Sequence, residues 1–154
     1  LKGVLFYTKQ VNRRIVMIIN QISIFIENRP GRLAEVMKII SDKKISIKAL
    51  SIADTTKFGI LRIIVDDAHA VEKYLTENDL TVSVTKVLAV RIPDVAGSMY
   101  NVIQLLADNN VSIEYVYAFI SKKHNDEAYV VIRVEEEEKA TRILAQNGYS
   151  GIDE

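Results

Sequence analysis

The sequence predicts an α+β fold: two ferredoxin-like βαββαβ units with antiparallel sheets, packed as an intramolecular pseudo-dimer. Three observations predict it. The chain repeats itself at a nearly fixed spacing. Its apolar residues switch between period 2 and period 3.6 in the same order in each copy. No Gly- or Pro-rich linker parts the copies, since Thr81–Ile92 runs without a breaker. At 154 residues, the length fits one ordinary domain or two very small ones.

The repeat is found by sliding the chain against itself. At a shift of 66, Gly31 falls on Gly97, Val36 on Val102, Asp42 on Asp108, Ser46 on Ser112 and Ile47 on Ile113. With three extra residues allowed, Ile63 falls on Ile132, Val65 on Val134, Leu75 on Leu144 and Asn78 on Asn147. Such internal similarity is weighed before any fold is chosen, because it sets the unit of construction. The units are expected at 21–86 and 87–154, after an N-terminal extension at 1–20.

In the first unit, Gln21–Glu27 alternates around Ile22, Ile24 and Ile26, the pattern of a half-buried strand. Asn28-Arg29-Pro30-Gly31 is a turn. Leu33, Val36, Met37 and Ile40 then lie along one face of a helix. Lys44–Ala53 and Phe58–Asp66 are β-branched-rich strands joined by a hairpin turn. Val71, Tyr74 and Leu75 mark a second helix, and Leu80–Val84 a last strand. The second unit repeats this order: strand Val87–Ile92, a helix carrying Met99, Val102, Ile103 and Leu106, and strands Val111–Ser121 and Ala128–Val134. The extra residues fall in the hairpin turn at Ser121–Glu127. A helix carrying Ala140, Ile143 and Leu144 and a short strand at Tyr149–Ile152 close the unit. A unit of about 65 residues is marginal alone, so the copies are expected to pack tightly. Phe25, Leu50, Ile52, Val116 and Ala118 are expected on the sheet face away from the helices. An apolar outer face of that kind seeks cover, which suggests a homo-oligomer, a dimer in the simplest case.

Composition removes several classes of function. Twenty Lys+Arg balance twenty Asp+Glu, so no basic excess marks a nucleic-acid footprint. Absence of cysteine excludes a disulfide framework, an iron–sulfur cluster and a thiol nucleophile. No metal site is predicted, because His69 and His124 both fall at surface positions. Glu135–Glu138 opens a helix, where acids are favoured by the dipole, and reads as a solvated first turn. No catalytic Ser/His/Asp set or phosphate loop is present, so neither an enzyme nor a cofactor is expected. The RNA-recognition domains that share this element order need several aromatics on central strands. The third strand carries one, Phe58, and Tyr115, Tyr117 and Phe119 read as core or interface.

Residues 1–20 hold Lys2, Lys9, Arg13 and Arg14 and no acid. Arg13-Arg14 followed by Ile15–Ile19 looks like a secretory leader but lacks a small-residue cleavage site, and the run is too short to span a bilayer. Translation is expected to begin at Met17, the alternative being an added strand or basic arm, and a cytoplasmic location is the default.

The loops from first strand to first helix carry the chemistry. A helix N-terminus offers free N–H groups and the positive end of the dipole, which suit a carboxylate. Asn28 or Asp94, one turn earlier, supplies a polar group, and Asp94 suits an ammonium. Helix capping explains the same residues and, on spacing alone, is the stronger account.

Asn28-Arg29-Pro30-Gly31-Arg32-Leu33-Ala34-Glu35-Val36 with Lys43–Ile47, and again Pro93–Met99 with Asn109–Ile113, resemble the opening of an ACT domain. The resemblance extends over 21–152. It implies a stand-alone tandem ACT protein, a regulatory module that binds an amino acid or other small ligand where units meet. By position it marks Asn28, Pro30, Gly31, Arg32 and Leu33 in unit one and Asp94, Ala96, Gly97 and Ser98 in unit two. Ser46 and Ser112 match the polar position early in the next strand. Val95-Ala96 stands where Arg29-Pro30 stands in the first copy, so two equivalent sites are not expected. A sensor that shifts its association with itself or with a regulated enzyme is the leading expectation. A protein-association scaffold with vestigial sites is the alternative.

Overall fold

The computed structural model describes residues 15–120 and 126–153. The basic segment 1–14, His124 and most of the hairpin turn expected at 121–127 lie outside the described residues.

The order is β1 (Ile15–Val16), β2 (Ile18–Glu27), α1 (Arg32–Asp42), β3 (Ala49–Asp54), β4 (Phe58–Ile64), α2 (Ala68–Glu77) and β5 (Thr81–Pro93), followed by α3 (Ser98–Asp108), β6 (Ile113–Ile120), β7 (Glu127–Val134), α4 (Glu137–Gln146) and β8 (Ile152–Asp153). Six strands form one antiparallel sheet in the order β3-β4-β2-β5-β7-β6. Each half is the split βαβ expected from the repeat.

The halves meet in one strand. Leu80–Val84 and Val87–Ile92 were expected as separate strands, yet β5 runs unbroken through both. Its residues 81–88 pair with β2, and residues 88–93 pair with β7. Beyond β2, the same edge of β5 is finished by Met17, whose carbonyl accepts from Ala89 N, and by Ser150, whose carbonyl accepts from Arg91 N. β8 then pairs with β1. No turn residue interrupts Thr81–Pro93, so nothing in the chain asks the strand to stop. β2 begins at Ile18, ahead of the expected unit boundary, and Met17 is buried in the core of the second unit.

Two cores lie under the helices. Ile22, Ile24, Leu61 and Ile63 pack on Val36, Ile40 and Leu75 in the first. Leu88, Val90 and Ile132 pack on Val102, Leu106 and Leu144 in the second. A third core forms on the helix-free face, where Ala49, Ile64, Val87 and Val131 meet Ile19, Tyr117 and Phe119. It exists because the sheet is rolled. Strands five steps apart in a flat sheet lie about 24 Å apart, yet Cα atoms of the edge strands β3 and β6 come within 8 Å. Tyr115, Tyr117 and Phe119 therefore lie half-buried on the inner face of the roll, Tyr117 and Phe119 against this third core.

The rolling corrects one expectation. Leu50 pairs with Ile63, Ile52 with Leu61, Val116 with Ile132 and Ala118 with Val130. Direct antiparallel partners share a face, so these four lie on the helix side, at edges the helices do not reach. Only Phe25 of the expected set is on the helix-free face, opposite Ile60 and stacked on Phe58 at 5.0 Å. β3 and β6 also start later than expected, at Ala49 and Ile113. Lys44 and Asn110, each with φ of 56°, turn the chain out of the preceding helix before either strand can begin.

Candidate ligand site

Both strand–helix loops are built on a left-handed glycine. Gly31 has φ of 81° and Gly97 of 92°, and each occupies the N-cap position of its helix. This backbone region is costly for other residues, which accounts for the repeated glycine. A Cβ at either position would meet nothing within 4 Å, so the space above both turns is open.

Neither Asn28 nor Asp94 caps its helix. The Asn28 amide donates at 3.4 and 3.5 Å to the carbonyls of Thr55 and Thr56, tying the loop to the β3–β4 hairpin. The backbone makes one such tie in each unit, Asn28 N donating to Lys57 O at 2.9 Å and Asp94 N to Asp126 O at 2.8 Å. In the first turn of α1, Arg32 N and Glu35 N have backbone acceptors, whereas Leu33 N and Ala34 N have none among the described residues. The second copy is identical in this respect: Ser98 N and Asn101 N are satisfied, and Met99 N and Tyr100 N have no acceptor among the described residues. Each helix thus presents two parallel donors at its positive end, an arrangement that accepts a carboxylate.

The side chains above these donors differ. In unit one, Arg29 grips Glu35 with two hydrogen bonds of 2.9 and 2.7 Å and reaches Glu27 through Nε at 3.0 Å. Arg32 adds a third donor to Glu35 at 3.0 Å. These hydrogen bonds hold the Glu35 carboxyl down to about 2, and the same contacts raise Arg29. Arg32 Nε is buried without a partner. In unit two, Val95 and Tyr100 are exposed, Ser98 is buried, and the Asp94 carboxylate is uncommitted among the described residues. Pro30, Leu33 and Ala96 lie exposed beside these turns.

The structure brings 28–33 to the 54–57 hairpin and Asp94 to Asp126. It does not bring Ser46 or Ser112 to the loop of its own unit. Ser46 follows α1, whose 11 residues separate it from Gly31 by about 16 Å. It lines an open groove of about 460 Å³ with Met37, Ser41 and Lys44. The two loops are also far apart. They sit at opposite ends of the 13-residue β5, which spans roughly 40 Å.

A polar cluster on the helix-free face was not foreseen. Gln21 is fully buried. Its Nε2 donates to the Tyr115 hydroxyl at 2.8 Å, and its Oε1 accepts from the Tyr117 hydroxyl at 2.8 Å. Burial raises the Tyr117 hydroxyl above its ordinary value. Alternation was the one available signal: Gln21 and Ser23, then Ser83 and Thr85, put polar residues on the strand face that the helices leave open.

Comparison with known proteins decides the family. The profile of the ACT domain pair matches residues 17–154. The chain belongs to the ACT domain pair family. The family is one of regulatory, small-molecule-binding modules. This ACT domain pair is similar to protein BT0572 from Bacteroides thetaiotaomicron, with 36% identity, a TM-score of 0.81, and coverage of 89% of this chain and 93% of that one. It shares its fold with the regulatory subunit of aspartate kinase from Thermus thermophilus, at 17% identity, TM-score 0.57, and 86% and 98% coverage. The regulatory subunit of aspartate kinase from Thermus flavus gives 16% identity, TM-score 0.53, and 86% and 97% coverage. None of the curated proteins matches the ACT domain pair described here. No helix among its described residues is long and apolar enough to cross a membrane, and no group of three or more His, Cys, Asp or Glu among them is placed to hold a metal ion.

Proposed function

We propose that the chain is a non-catalytic sensor of a free amino acid, bound at the strand–helix loops and most readily in unit two. Occupancy of the loop biases association with a second copy, in a homodimer, or with a separate regulated enzyme. A cytoplasmic setting belongs to the same reading. The observation that carries it is the pair of donors at Met99 N and Tyr100 N, one turn from the Asp94 carboxylate, all three without a partner among the described residues. The donors suit a ligand carboxylate and Asp94 suits its ammonium, so the loop matches the part that all amino acids share. In unit one, Asn28 is spent on the hairpin and Arg29 and Arg32 on Glu35. A ligand that draws on Arg29 or Arg32 there competes with Glu35 for them, which makes unit one the weaker site. Effects on association follow from binding one arrangement better than another.

A thermal-shift screen of the chain against the twenty amino acids tests this. A ligand at 100 times its Kd adds about 2.7 kcal/mol, a shift of roughly 5–10 °C in a chain of this size. The expected result is a selective shift that Asp94→Ala removes and Asn28→Ala leaves largely in place. A flat response to all twenty would overturn the amino-acid reading. The second reading, a scaffold for protein association, is favoured by the exposed Leu50 and Ile52 on β3 and Val116 and Ile120 on β6. These edges would then form the contact with no ligand required.

A further inference from the structure

The helix-free face holds an open cleft of about 330 Å³ whose lining includes no residue of either loop. Its walls come from both units: Ser23, Arg62, Ser83 and Thr85 from the first, and Glu114, Tyr115 and Arg133 from the second. The two cations in it are differently placed. Arg133 is engaged, by Glu137, by Glu114 at 3.7 Å and by the Lys86 carbonyl at 2.9 Å. Arg62 has no hydrogen bond or ion pair among the described residues. Its guanidinium lies on the Tyr115 ring, with Cζ 3.7 Å from the centroid.

That stack occupies one face of the guanidinium and leaves its N–H donors unmade. A guanidinium has five, in a planar fork that matches a carboxylate or phosphate. The platform beneath it is locked. Tyr115 is held by buried Gln21, which Tyr117 holds in turn and which also donates to Ser23 Oγ at 3.1 Å. A buried amide and two tyrosines thus fix a half-buried cation that has no counter-ion among the described residues. Hydroxyls of Ser83 and Thr85 stand in the same cleft, and Ile60 supplies its apolar wall. A cavity of this volume is at the small end of ligand sites, which run from roughly 300 to 1,000 Å³. We propose that this cleft is a second binding site, for a small metabolite whose carboxylate or phosphate oxyanion is gripped by Arg62. Such a ligand touches both units at once, so it ties together the two halves of the rolled sheet.

The test is a side-chain NMR titration of the full chain, following the Arg62 Nε–Hε cross-peak. Inorganic phosphate and acetate serve as probes, each against sodium chloride at equal ionic strength. A saturable displacement by phosphate, acetate or both, absent in chloride, is expected. Phosphate alone points to a phosphorylated ligand and acetate alone to a carboxylate. Arg62→Gln should abolish the saturable response read at the backbone amides of Ser83 and Thr85. Arg62→Lys keeps the charge but loses the fork, and should retain a response at least fivefold weaker, which separates lost binding from lost fold. Asp94→Ala should leave the titration unchanged, so failure of the loop reading and failure of this one are distinguishable. No saturable displacement by either anion, or an intact response in Arg62→Gln, would overturn the proposal.

Discussion

The starts of α1 and α3 are the same backbone in two different dresses. Each has a left-handed glycine, two satisfied and two free first-turn donors, and one tie to its own hairpin. Over the first, Glu27, Arg29, Arg32 and Glu35 interlock. The corresponding residues over the second are Pro93, Val95, Ser98 and Asn101, which form no ion pair. The backbone geometry is therefore set by glycine and the hairpin, and whether the side chains beside the donors are already paired is set separately by the sequence. In unit one Arg29 and Arg32 draw Glu35, the chain's own carboxylate, to the helix start. In unit two no described side chain takes that place.

The largest test asks whether the two halves differ in stability as their helix starts differ in ion pairing. Leu75 and Leu144 are repeat partners, and both are fully buried. Replacing either by Ala should cost about 3 kcal/mol. Because β5 belongs to both units, each variant should still unfold in a single denaturant transition. Two resolved transitions in either would break the equivalence. Next come the glycines. Gly31→Ala and Gly97→Ala should each cost about 1 kcal/mol from backbone strain alone, in equal measure, since a methyl group has free space at both. A much larger cost at one loop would show that its surroundings, and not its backbone, hold the turn.

The smallest effect separates the loops by pH. Glu35 is held at about 2 against an ordinary 4.5. A carboxylate lowered on folding contributes stability that is fully present above its unfolded value and is lost as pH falls through its folded value. The advantage of the native chain over Glu35→Gln should therefore be intact above pH 4.5 and fade as pH falls toward 2. These side chains are exposed, so solvent screening keeps the effect small. Asn101→Gln, at the matching place in unit two, should show no such dependence. NMR titration of the Glu35 carboxyl gives the midpoint directly.

Most of the architecture was legible because burial writes itself into spacing. Ile22, Ile24 and Ile26 mark a strand, Val36 and Ile40 a helix face, and their repeat partners do so again. The glycine turns were legible for a similar reason, since one residue type serves a left-handed N-cap best. What escaped depended on contacts distant in sequence. Whether Leu50 and Val116 lie inside or outside the helix layer depends on register with Ile63 and Ile132, which alternation does not fix. Helix capping, the stronger account of Asn28 on spacing, gave way to hydrogen bonds with a hairpin 27 residues away. The Gln21–Tyr115–Tyr117 cluster joins residues more than 90 apart. It exists only because the sheet rolls, and no local pattern encodes that.

The unbroken strand between the units has a further consequence. Two modules on a flexible tether can be cut apart, reordered or multiplied like beads on a string. Here the would-be tether is itself a ladder strand, and Leu88, where its two pairings overlap, pairs with Ile18 on one edge and Ile132 on the other. Slipping β5 by one position against β2 would drag the β7 register with it and turn every side chain of both halves to the wrong face. A push at one end of such a strut is felt at the other as a change of alignment, and neither half can be traded for a foreign one without rebuilding the seam.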